Sequence, residues 1–471
     1  MTVPGPSCLR RLATLGLAAS LAVLFVPASA TAVPAFARKY QTSCQTCHVV
    51  FPKLNAFGEA FRLRGYRMPA ETEEMVKQKP VSLGAPAYKR LWPKAVWPGE
   101  LPGNLPLAVN VKFANVNAST LNPDGTVTSI RNDFQFPQEA NIFAAGTLGD
   151  HVSFFSEMTF AENPDGSVAV ELEHARLDID SPFGREYMFH FRIGKMAPNL
   201  AGGFQEMWIS TDAPIDSVFS YNPIGVNGGT GLVEDATPAP VALPASVRGI
   251  EAYGIVKHRM LWVGGVVNGI SPGPNGRFYG NNANDLYARL DYKFGGMGFD
   301  GDTGGKAPPA ENWRDNSLRI GAFVYRGDGT NINFASTDVQ GDPLNIQDLH
   351  FLRVGFYASV YFQDLNVFGA YLHGTDQLQL LDPTSNEGLG LVQADSRAWF
   401  VQADYVFYPW LQGSGRYETV TPADPAAAIV KRGVATLNAL IRANVKAMVE
   451  YQRDLNEGQN NSLNLLVRFA F

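Results

Sequence analysis

The 471-residue sequence is short of cysteine, of net positive charge and of long apolar runs. Its formal net charge of −6 excludes the basic surface that nucleic-acid binding requires. Beyond the N-terminal region, no apolar run reaches the roughly 20 residues of a transmembrane helix, which excludes a helical membrane protein. Glycine (46 residues) and aromatic residues (11%) are plentiful, and this composition favours strands and turns over helices.

Residues 1–30 are typical of a secretory signal peptide. Arg10 and Arg11 precede the apolar run Leu12–Val26, and small residues suited to cleavage follow at 28–30 and at 30–32. The alternative is an N-terminal membrane anchor, but the run is shorter than the roughly 20 residues of a membrane span. We therefore predict that residues 1–30 are removed on export.

Removal of the signal peptide takes Cys8 away and leaves Cys44 and Cys47. His48 follows directly, and Cys-x-x-Cys-His is the attachment sequence of c-type haem. A redox-active dithiol is the alternative, but it leaves His48 unexplained, and a thioredoxin-like strand–helix–strand context is absent. The motif predicts one covalent haem c attached to Cys44 and Cys47, with His48 as the proximal iron ligand.

Residues 31–98 are predicted to form a short haem segment and a linker. A helix is expected from Pro52 to about Arg64, and Gly65 is expected to end it. One apolar stripe along this helix, facing a small core and the porphyrin, comprises Leu54, Phe57 and Phe61. Because so few residues cannot bury a haem alone, we expect the rest of the chain to complete the enclosure.

The sequence does not decide which residue is the distal iron ligand. Met68 follows the helix, where the chain can fold back across the haem, and Met75 is the next candidate. Methionine–histidine ligation would raise the reduction potential. The sixth position of the iron could instead bind a histidine from the remaining chain, or it could stay open.

Residues 99–471 are predicted to form a β-barrel because their polarity alternates with a period of two residues. In 286–294, one face comprises Leu286, Ala288, Leu290, Tyr292 and Phe294, and the other comprises Tyr287, Arg289, Asp291 and Lys293. Segments 318–325 and 352–361 alternate in the same way. A soluble sandwich also alternates. Charged residues gathered on one face, however, suit a wet lumen inside a lipid-facing wall.

Short turns are predicted to alternate with long loops, which is the pattern of outer-membrane barrels. Long loops are expected at 119–132, 197–246, 271–283, 328–348 and 374–395, and the connection 296–314 is long on the short-turn side. We expect about 16 antiparallel strands, starting near 105, 136, 152, 168, 187, 247, 260, 284, 315, 349, 365, 396, 410, 429, 445 and 461. Residues 203–211 are a candidate additional strand. The even count predicts that both chain ends are periplasmic.

The last strand supports the same fold class. Residues 461–471 alternate and finish on phenylalanine, which resembles the signal that directs bacterial outer-membrane proteins to their insertion machinery. Aromatic residues typical of an interfacial girdle are Trp399, Tyr405, Phe407, Tyr408 and Trp410. We therefore predict an all-β transmembrane barrel in the bacterial outer membrane, with the haem segment plugging its lumen.

A haem plug inside a barrel favours an electron conduit. The hydrocarbon layer is roughly 30 Å thick, so a single haem well outside it cannot carry electrons across. A barrel of about 16 strands has a lumen rather than a packed interior. A haem segment inside that lumen shortens both the inward and the outward electron-transfer steps.

Residues Ala35–Tyr40, Cys44–His48 and Phe51–Arg62 resemble the fused monohaem cytochrome–porin family of iron-oxidising bacteria. The architecture resembles that family over the whole exported chain, and the motifs do so over about residues 35–69. The resemblance implies an Fe(II)-oxidising electron-transfer oxidoreductase. It also implies that the electrons pass to a periplasmic carrier such as a soluble cytochrome or a copper protein.

Two other functions stay open. One is a porin or transporter whose haem is structural or sensory, and the other is a conduit for a different extracellular donor or acceptor. Glu71, Glu73 and Glu74 offer hard oxygen ligands that suit Fe(II). Such acidic runs are, however, usually just solvated.

Overall fold

The computed structural model describes part of the chain. The described residues are 35–68, 81–82, 90–91, 93, 100–101, 106–121, 127–148, 151–162, 167–184, 187–201, 208–219, 243, 246–268, 284–332, 346–381, 388–422, 429–456 and 460–471. The signal peptide, Met75 and the acidic run at 71–74 lie outside these residues. None of the described helices has the length and apolar character needed to cross a membrane.

Short elements precede the main sheet. They are helix α1 (Ala35–Tyr40), a 3₁₀ turn (Cys44–Thr46), the paired strands β1 (His48–Val50) and β2 (Lys53–Leu54), helix α2 (Ala56–Leu63), and the paired strands β3 (Val81–Ser82) and β4 (Glu100–Leu101). One further short helix, α3 (Asp216–Phe219), lies between two strands of the main sheet.

Sixteen antiparallel strands form a closed barrel. The strands are β5 (Leu107–Leu121), β6 (Val127–Leu148), β7 (Val152–Glu162), β8 (Val168–Asp180), β9 (His190–Met196), β10 (Val247–Val256), β11 (Met260–Asn268), β12 (Asn284–Gly295), β13 (Ser317–Ile332), β14 (Ile346–Phe362), β15 (Leu365–Leu381), β16 (Gly388–Tyr408), β17 (Leu411–Thr421), β18 (Val430–Arg442), β19 (Val445–Asp454) and β20 (Asn460–Ala470). The last strand pairs with the first, from Asn460 opposite Thr120 to Ala470 opposite Asn110, and this pairing closes the sheet.

The predicted number of strands is confirmed, and most predicted starts lie within a few residues of the observed ones. Two starts were wrong: the strand expected near 136 begins at Val127, and the strand expected near 396 begins at Gly388. The loops expected at 119–132, 328–348 and 374–395 are also partly strand. All of these differences have one cause. Paired strands keep their hydrogen bonds beyond the point where the apolar alternation stops, as β15 and β16 do up to Leu380 opposite Gly390.

The exterior of the barrel is apolar and its interior is charged. On β12, Leu286 and Leu290 are each 53% exposed, whereas the intervening Arg289 is 3% exposed and Asp291 is 1% exposed. The predicted alternation of 286–294 is therefore confirmed, with the apolar face outward. A soluble sandwich would bury its apolar face, so this arrangement defines a transmembrane barrel whose exterior contacts lipid.

The short connections gather at one end of the barrel. They are 257–259, 363–364, 409–410 and 443–444, and the long connection expected on this side spans 296–316. Both ends of the barrel sequence meet here, since the Val109 N–H donates to the Phe471 carbonyl at 3.0 Å. We refer to this end as the short-turn end.

The described residues 208–219 of the connection between β9 and β10 fill part of the lumen. Trp208, Ile215 and Val218 are buried in one apolar core with inward-facing barrel residues such as Tyr357 and Phe400. Polar contacts also fix this segment, because the Ala213 N–H donates to Glu450 at 2.9 Å. Residues 208–211, which were part of the candidate additional strand, form no strand; 203–207 lie outside the described residues.

Candidate haem site

The cysteine motif is held in a tight turn by Asn55. Cys44 and Cys47 bracket the 3₁₀ turn, in which the Cys47 N–H donates to the Cys44 carbonyl at 3.2 Å. The Asn55 amide donates to the carbonyls of Gln45 (3.3 Å) and Thr46 (3.1 Å), and its oxygen accepts from the Gly58 N–H at 2.8 Å. One side chain therefore fixes the cysteine turn to the start of α2.

The expected helix start at Pro52 was wrong, because Asn55 is the N-cap and Lys53–Leu54 form β2. The Asn55 side-chain oxygen accepts a hydrogen bond from a free N–H of the first helical turn, and this contact stabilises the helix start. The expected end is confirmed, since Gly65 adopts a left-handed φ of 67° just after α2.

Gly58 allows α2 to pass very close to the motif. A Cβ added at this glycine would collide with the Cys47 carbonyl oxygen. The close approach places the apolar face of α2 beside the two cysteines, with Phe61 buried there.

His48 has the orientation and protonation state of a metal ligand. Its Nδ1 lies 3.0 Å from the Pro52 carbonyl, so Nδ1–H donates to that oxygen and Nε2 is the ring nitrogen that can coordinate a metal. Burial lowers the pKa of His48 to about 4. The imidazole is therefore neutral at physiological pH, which is the form that binds metals.

A cavity of about 1520 Å³, including its solvent-open part, lies against the motif. Cys44, Cys47, His48 and Met68 all line it. Most of the cavity walls are apolar. His48 is the one histidine among the described lining residues, so none of the barrel histidines in the described parts reaches this cavity.

Both the haem segment and the barrel build the cavity. The segment contributes side chains such as Phe36, Leu54 and Phe61, and the barrel contributes Phe143, Phe155 and Phe469 among others. Of the predicted stripe, Leu54 and Phe61 reach the cavity and Phe57 is not among its lining residues. The cavity walls are therefore shared between the segment and the barrel.

The segment is attached to lumen-facing side chains around the short-turn end. Its contacts with strands β8, β10, β13, β16 and β19 are Arg67 with Asp180 (2.6 Å), the Leu63 carbonyl with the Tyr253 hydroxyl (3.1 Å), Glu59 with Arg319 (2.6 Å), Lys53 with Asp404, and the Phe51 carbonyl with Lys446 (2.8 Å). Because these strands surround the lumen, a segment that contacts all of them lies within the mouth of the barrel.

Four charged residues of the cavity wall were missed by sequence reasoning: Arg62, Glu157, Lys446 and Arg468. Arg62 directly follows Phe61 of the apolar stripe, and a charged residue at this position gives no sign in the sequence that its side chain is buried. The other three lie on β7, β19 and β20, and only closure of the barrel brings these strands to the motif.

Glu157, Glu173 and His174 form a cluster on β7 and β8 beside the cavity. One potential ligand atom from each residue lies within 4.8 Å of the others, and Glu157 also lines the cavity. The register of the two strands shifts next to Glu157, a β-bulge that leaves Glu173 without a regular partner. Carboxylate oxygens and imidazole nitrogens are ligands that suit Fe(II). Sequence reasoning missed this set because it depends on strand pairing.

Comparisons with known proteins find similar solved structures but no matching family. No protein-family model matches the sequence, and no curated protein matches it. Among solved structures, the chain is similar to Salmonella typhi OmpF in complex with daunomycin, with 13% identity over 79% of this chain and 98% of that chain, at a TM-score of 0.45. It is also similar to the outer membrane channel DcaP of Acinetobacter baumannii, with 14% identity over 78% of this chain and 97% of that chain (TM-score 0.49). A third is the anion-selective porin from Comamonas acidovorans, with 8% identity over 78% of this chain and 99% of that chain (TM-score 0.46).

Because these TM-scores lie below 0.5, the class of this protein rests on its own features. A closed barrel of sixteen antiparallel strands with an apolar exterior and a charged lumen is a porin-like barrel of the bacterial outer membrane.

Proposed function

We propose that this barrel is an outer-membrane electron conduit that oxidises extracellular Fe(II) and passes the electrons to periplasmic carriers. The observation that carries the proposal is the position of the Cys44–His48 motif, which faces an apolar cavity walled jointly by the haem segment and the barrel. Each Fe(II) that becomes Fe(III) gives up one electron, and each soluble cytochrome or copper protein in the periplasm accepts one.

The lining residues fit a c-type haem. Cys44 and Cys47 would hold it through thioether bonds, His48 Nε2 would bind the iron, and Met68 lines the same cavity as the candidate distal ligand. The bound haem would supply reversible one-electron chemistry, at a potential raised by methionine ligation. The phenylalanine walls would exclude water from the cavity.

The filled lumen favours a conduit over a diffusion pore. A porin or transporter with a structural or sensory haem remains the alternative that a porin-like fold alone suggests. In such a protein the lumen serves as the solute path. Here Trp208, Ile215 and Val218 form an apolar core across part of the lumen, and the haem segment occupies its short-turn end.

The Glu157–Glu173–His174 cluster supports Fe(II) as the electron donor. Its oxygen and nitrogen atoms suit this ion. Glu157 also belongs to the cavity wall, so an ion held there would lie beside the site of electron acceptance. We propose that the cluster is the place where Fe(II) binds before it is oxidised.

Stopped-flow mixing of the purified, oxidised protein with anaerobic Fe(II) tests the proposal. We expect reduction of the haem absorption bands at a rate that saturates with Fe(II). In Glu157→Gln, saturation should require several-fold more Fe(II). The Cys44→Ala/Cys47→Ala barrel provides the spectral baseline. Absence of reduction across a wide pH range would overturn Fe(II) oxidation, and a haem potential far below that of the Fe(III)/Fe(II) couple would favour outward electron flow.

A further inference from the structure

Arg62 is a buried cation in the wall of the cavity. It lies on α2, is 6% exposed, and lines both the large cavity and a smaller polar one between the segment and the barrel. Its Nε is buried without a hydrogen-bond partner, and its guanidinium forms no ion pair with any of the described residues. A buried guanidinium without a counter-ion is strongly unfavourable.

The neighbouring carboxylates bind other cations. Glu59, one turn earlier on α2, pairs with Arg319 at 2.6 Å. Farther across the lumen, Asp178 pairs with Arg176 at 3.1 Å, and Glu251 with Arg192 at 2.9 Å. Burial, and then the positive charge of Arg192, lower the pKa of Arg62 to about 10. Positive charge therefore remains in excess at this part of the cavity wall.

The other cations of the cavity wall have protein partners. Lys446 donates to the Phe51 carbonyl at 2.8 Å. Arg468 contacts Glu139 at 3.5 Å. Among the cations of the described cavity wall, Arg62 is the one without a hydrogen-bond or ion-pair partner, so its charge is the least compensated.

We infer that Arg62 binds a propionate carboxylate of the haem. This inference rests on the proposed haem, whose propionates are its anionic groups, while most of the cavity wall is apolar. A guanidinium–carboxylate pair can form two parallel hydrogen bonds, which would fix the rotation of the porphyrin within the cavity as well as its charge. Arg62 is therefore a positioning residue that sets the ionisation of the cofactor.

The pH dependence of the haem midpoint potential tests this assignment. An opposite charge at close range lowers a carboxyl pKa by about one to three units. In Arg62→Leu, the pH at which the potential starts to depend on propionate ionisation should therefore rise by about one to three units. Arg62→Lys should keep most of the wild-type profile. Arg353→Leu is the matched control, since Arg353 on β14 is similarly buried but does not line the cavity.

Covalent haem content, measured as the pyridine haemochrome, separates the possible failures. Wild-type protein without covalent haem would overturn the proposed function and, with it, this inference. Haem-loaded Arg62→Leu protein with an unchanged pH profile would overturn the inference alone. If Arg62→Leu does not fold into a heat-modifiable barrel, Arg62→Gln carries the same expectation, because it removes the charge and keeps a polar side chain of intermediate length.

Discussion

Single residues control how closely α2 approaches the cysteine turn, and Gly58 is the clearest case. In an exposed helix interior, replacing glycine by alanine stabilises the helix by about 1 kcal/mol. At Gly58 the added Cβ would collide with the Cys47 carbonyl oxygen, a backbone atom that cannot rotate away. The local preference for alanine is therefore outweighed by the contact.

We predict that Gly58→Ala lowers the haem content per folded barrel, because the displaced turn presents its thiols in the wrong position. Haem staining of the purified protein, normalised to protein mass, measures this ratio. Gly264→Ala is the control, since an added Cβ there has nothing within 4 Å. Full haem loading of Gly58→Ala would show that the turn adjusts without loss.

Met68 gives a second prediction for a single residue. If its thioether binds the iron, Met68→Ala should replace the low-spin haem spectrum by a high-spin one. Met68→His should remain low-spin with a lower midpoint potential, because imidazole raises the potential less than methionine does. An unchanged spectrum in Met68→Ala would assign this side chain to packing and leave Met75 as the next candidate.

The cysteine motif can be recognised at this scale because its residues are neighbours in sequence, and its role in haem attachment stays a prediction. Two thiols and an imidazole within Cys44–His48 need no distant partner to be recognised. Arg62 and Glu157 could not be found in this way, since their roles depend on walls contributed by strands far away in the chain.

Buried contacts between elements hold the haem segment in the barrel. Lys53 on β2 is 1% exposed and pairs with Asp404 on β16, and it also donates to Asn366 on β15 at 2.6 Å. Removing one member of such a pair leaves the other charge buried without compensation, which costs about 3–5 kcal/mol.

We predict that Lys53→Met weakens docking of the 35–68 segment by about 3–5 kcal/mol. Hydrogen exchange of that segment in the intact, haem-loaded protein should accelerate accordingly. Lys195→Met is the control: its partner Glu171 is 66% exposed, and such surface pairs contribute at most about 1 kcal/mol. Equal exchange rates in both variants would show that the buried Lys53–Asp404 ion pair does not hold the segment in place.

A pH-sensitive contact joins two connections at the short-turn end. His258, between β10 and β11, bonds Asp300 of the 296–316 connection, and this bond raises the pKa of His258 above its ordinary 6.5. A raised folded-state pKa means that the stabilisation is complete below the unfolded value and is lost as pH rises through the folded value.

We therefore expect residues 296–316 to be better protected from hydrogen exchange at mildly acidic pH than at alkaline pH, after correction for the intrinsic rate. His258→Gln should remove this difference while leaving the barrel intact. The opposite trend, with greater protection at alkaline pH, would show that the bond does not control this connection.

The strands were predictable because each carries its own signal. Alternation in 286–294 showed which face meets lipid, and turn residues located most strand starts. The predicted starts of β6 and β16 were wrong because the hydrogen-bonded pairing of these strands extends into segments of polar sequence. The predicted start of α2 was wrong because the helix begins after the Asn55 cap, which forms only when the chain folds into a turn, and not at Pro52.

For the whole molecule, barrel closure followed from alternation and an even strand count, but the contents of the lumen did not. Residues 197–246 were expected as a long loop, and nothing in their composition placed Trp208 among Tyr357, Phe368 and Phe400. A connection that folds into the lumen contacts strands far away in the chain. Local sequence patterns therefore do not predict that it folds inward.

This filled lumen predicts the electrical behaviour of the protein. Haem-loaded protein in planar bilayers should show a steady conductance well below that of an open porin, because the apolar core and the haem segment narrow the ion path. A barrel of similar strand count with an open lumen serves as the positive control. A large, steady conductance in the haem-loaded protein would favour the porin alternative.

The shared cavity also constrains the order of assembly. Its walls join Phe36 on α1 to Phe469 on β20, so the last strand of the barrel covers the site begun by the first helix. If Cys44–His48 carries the proposed haem, the enzyme that attaches it must reach both cysteines before this wall closes. We therefore expect haem attachment to precede insertion into the outer membrane, with the attached porphyrin serving as the apolar surface against which the first and last strands meet.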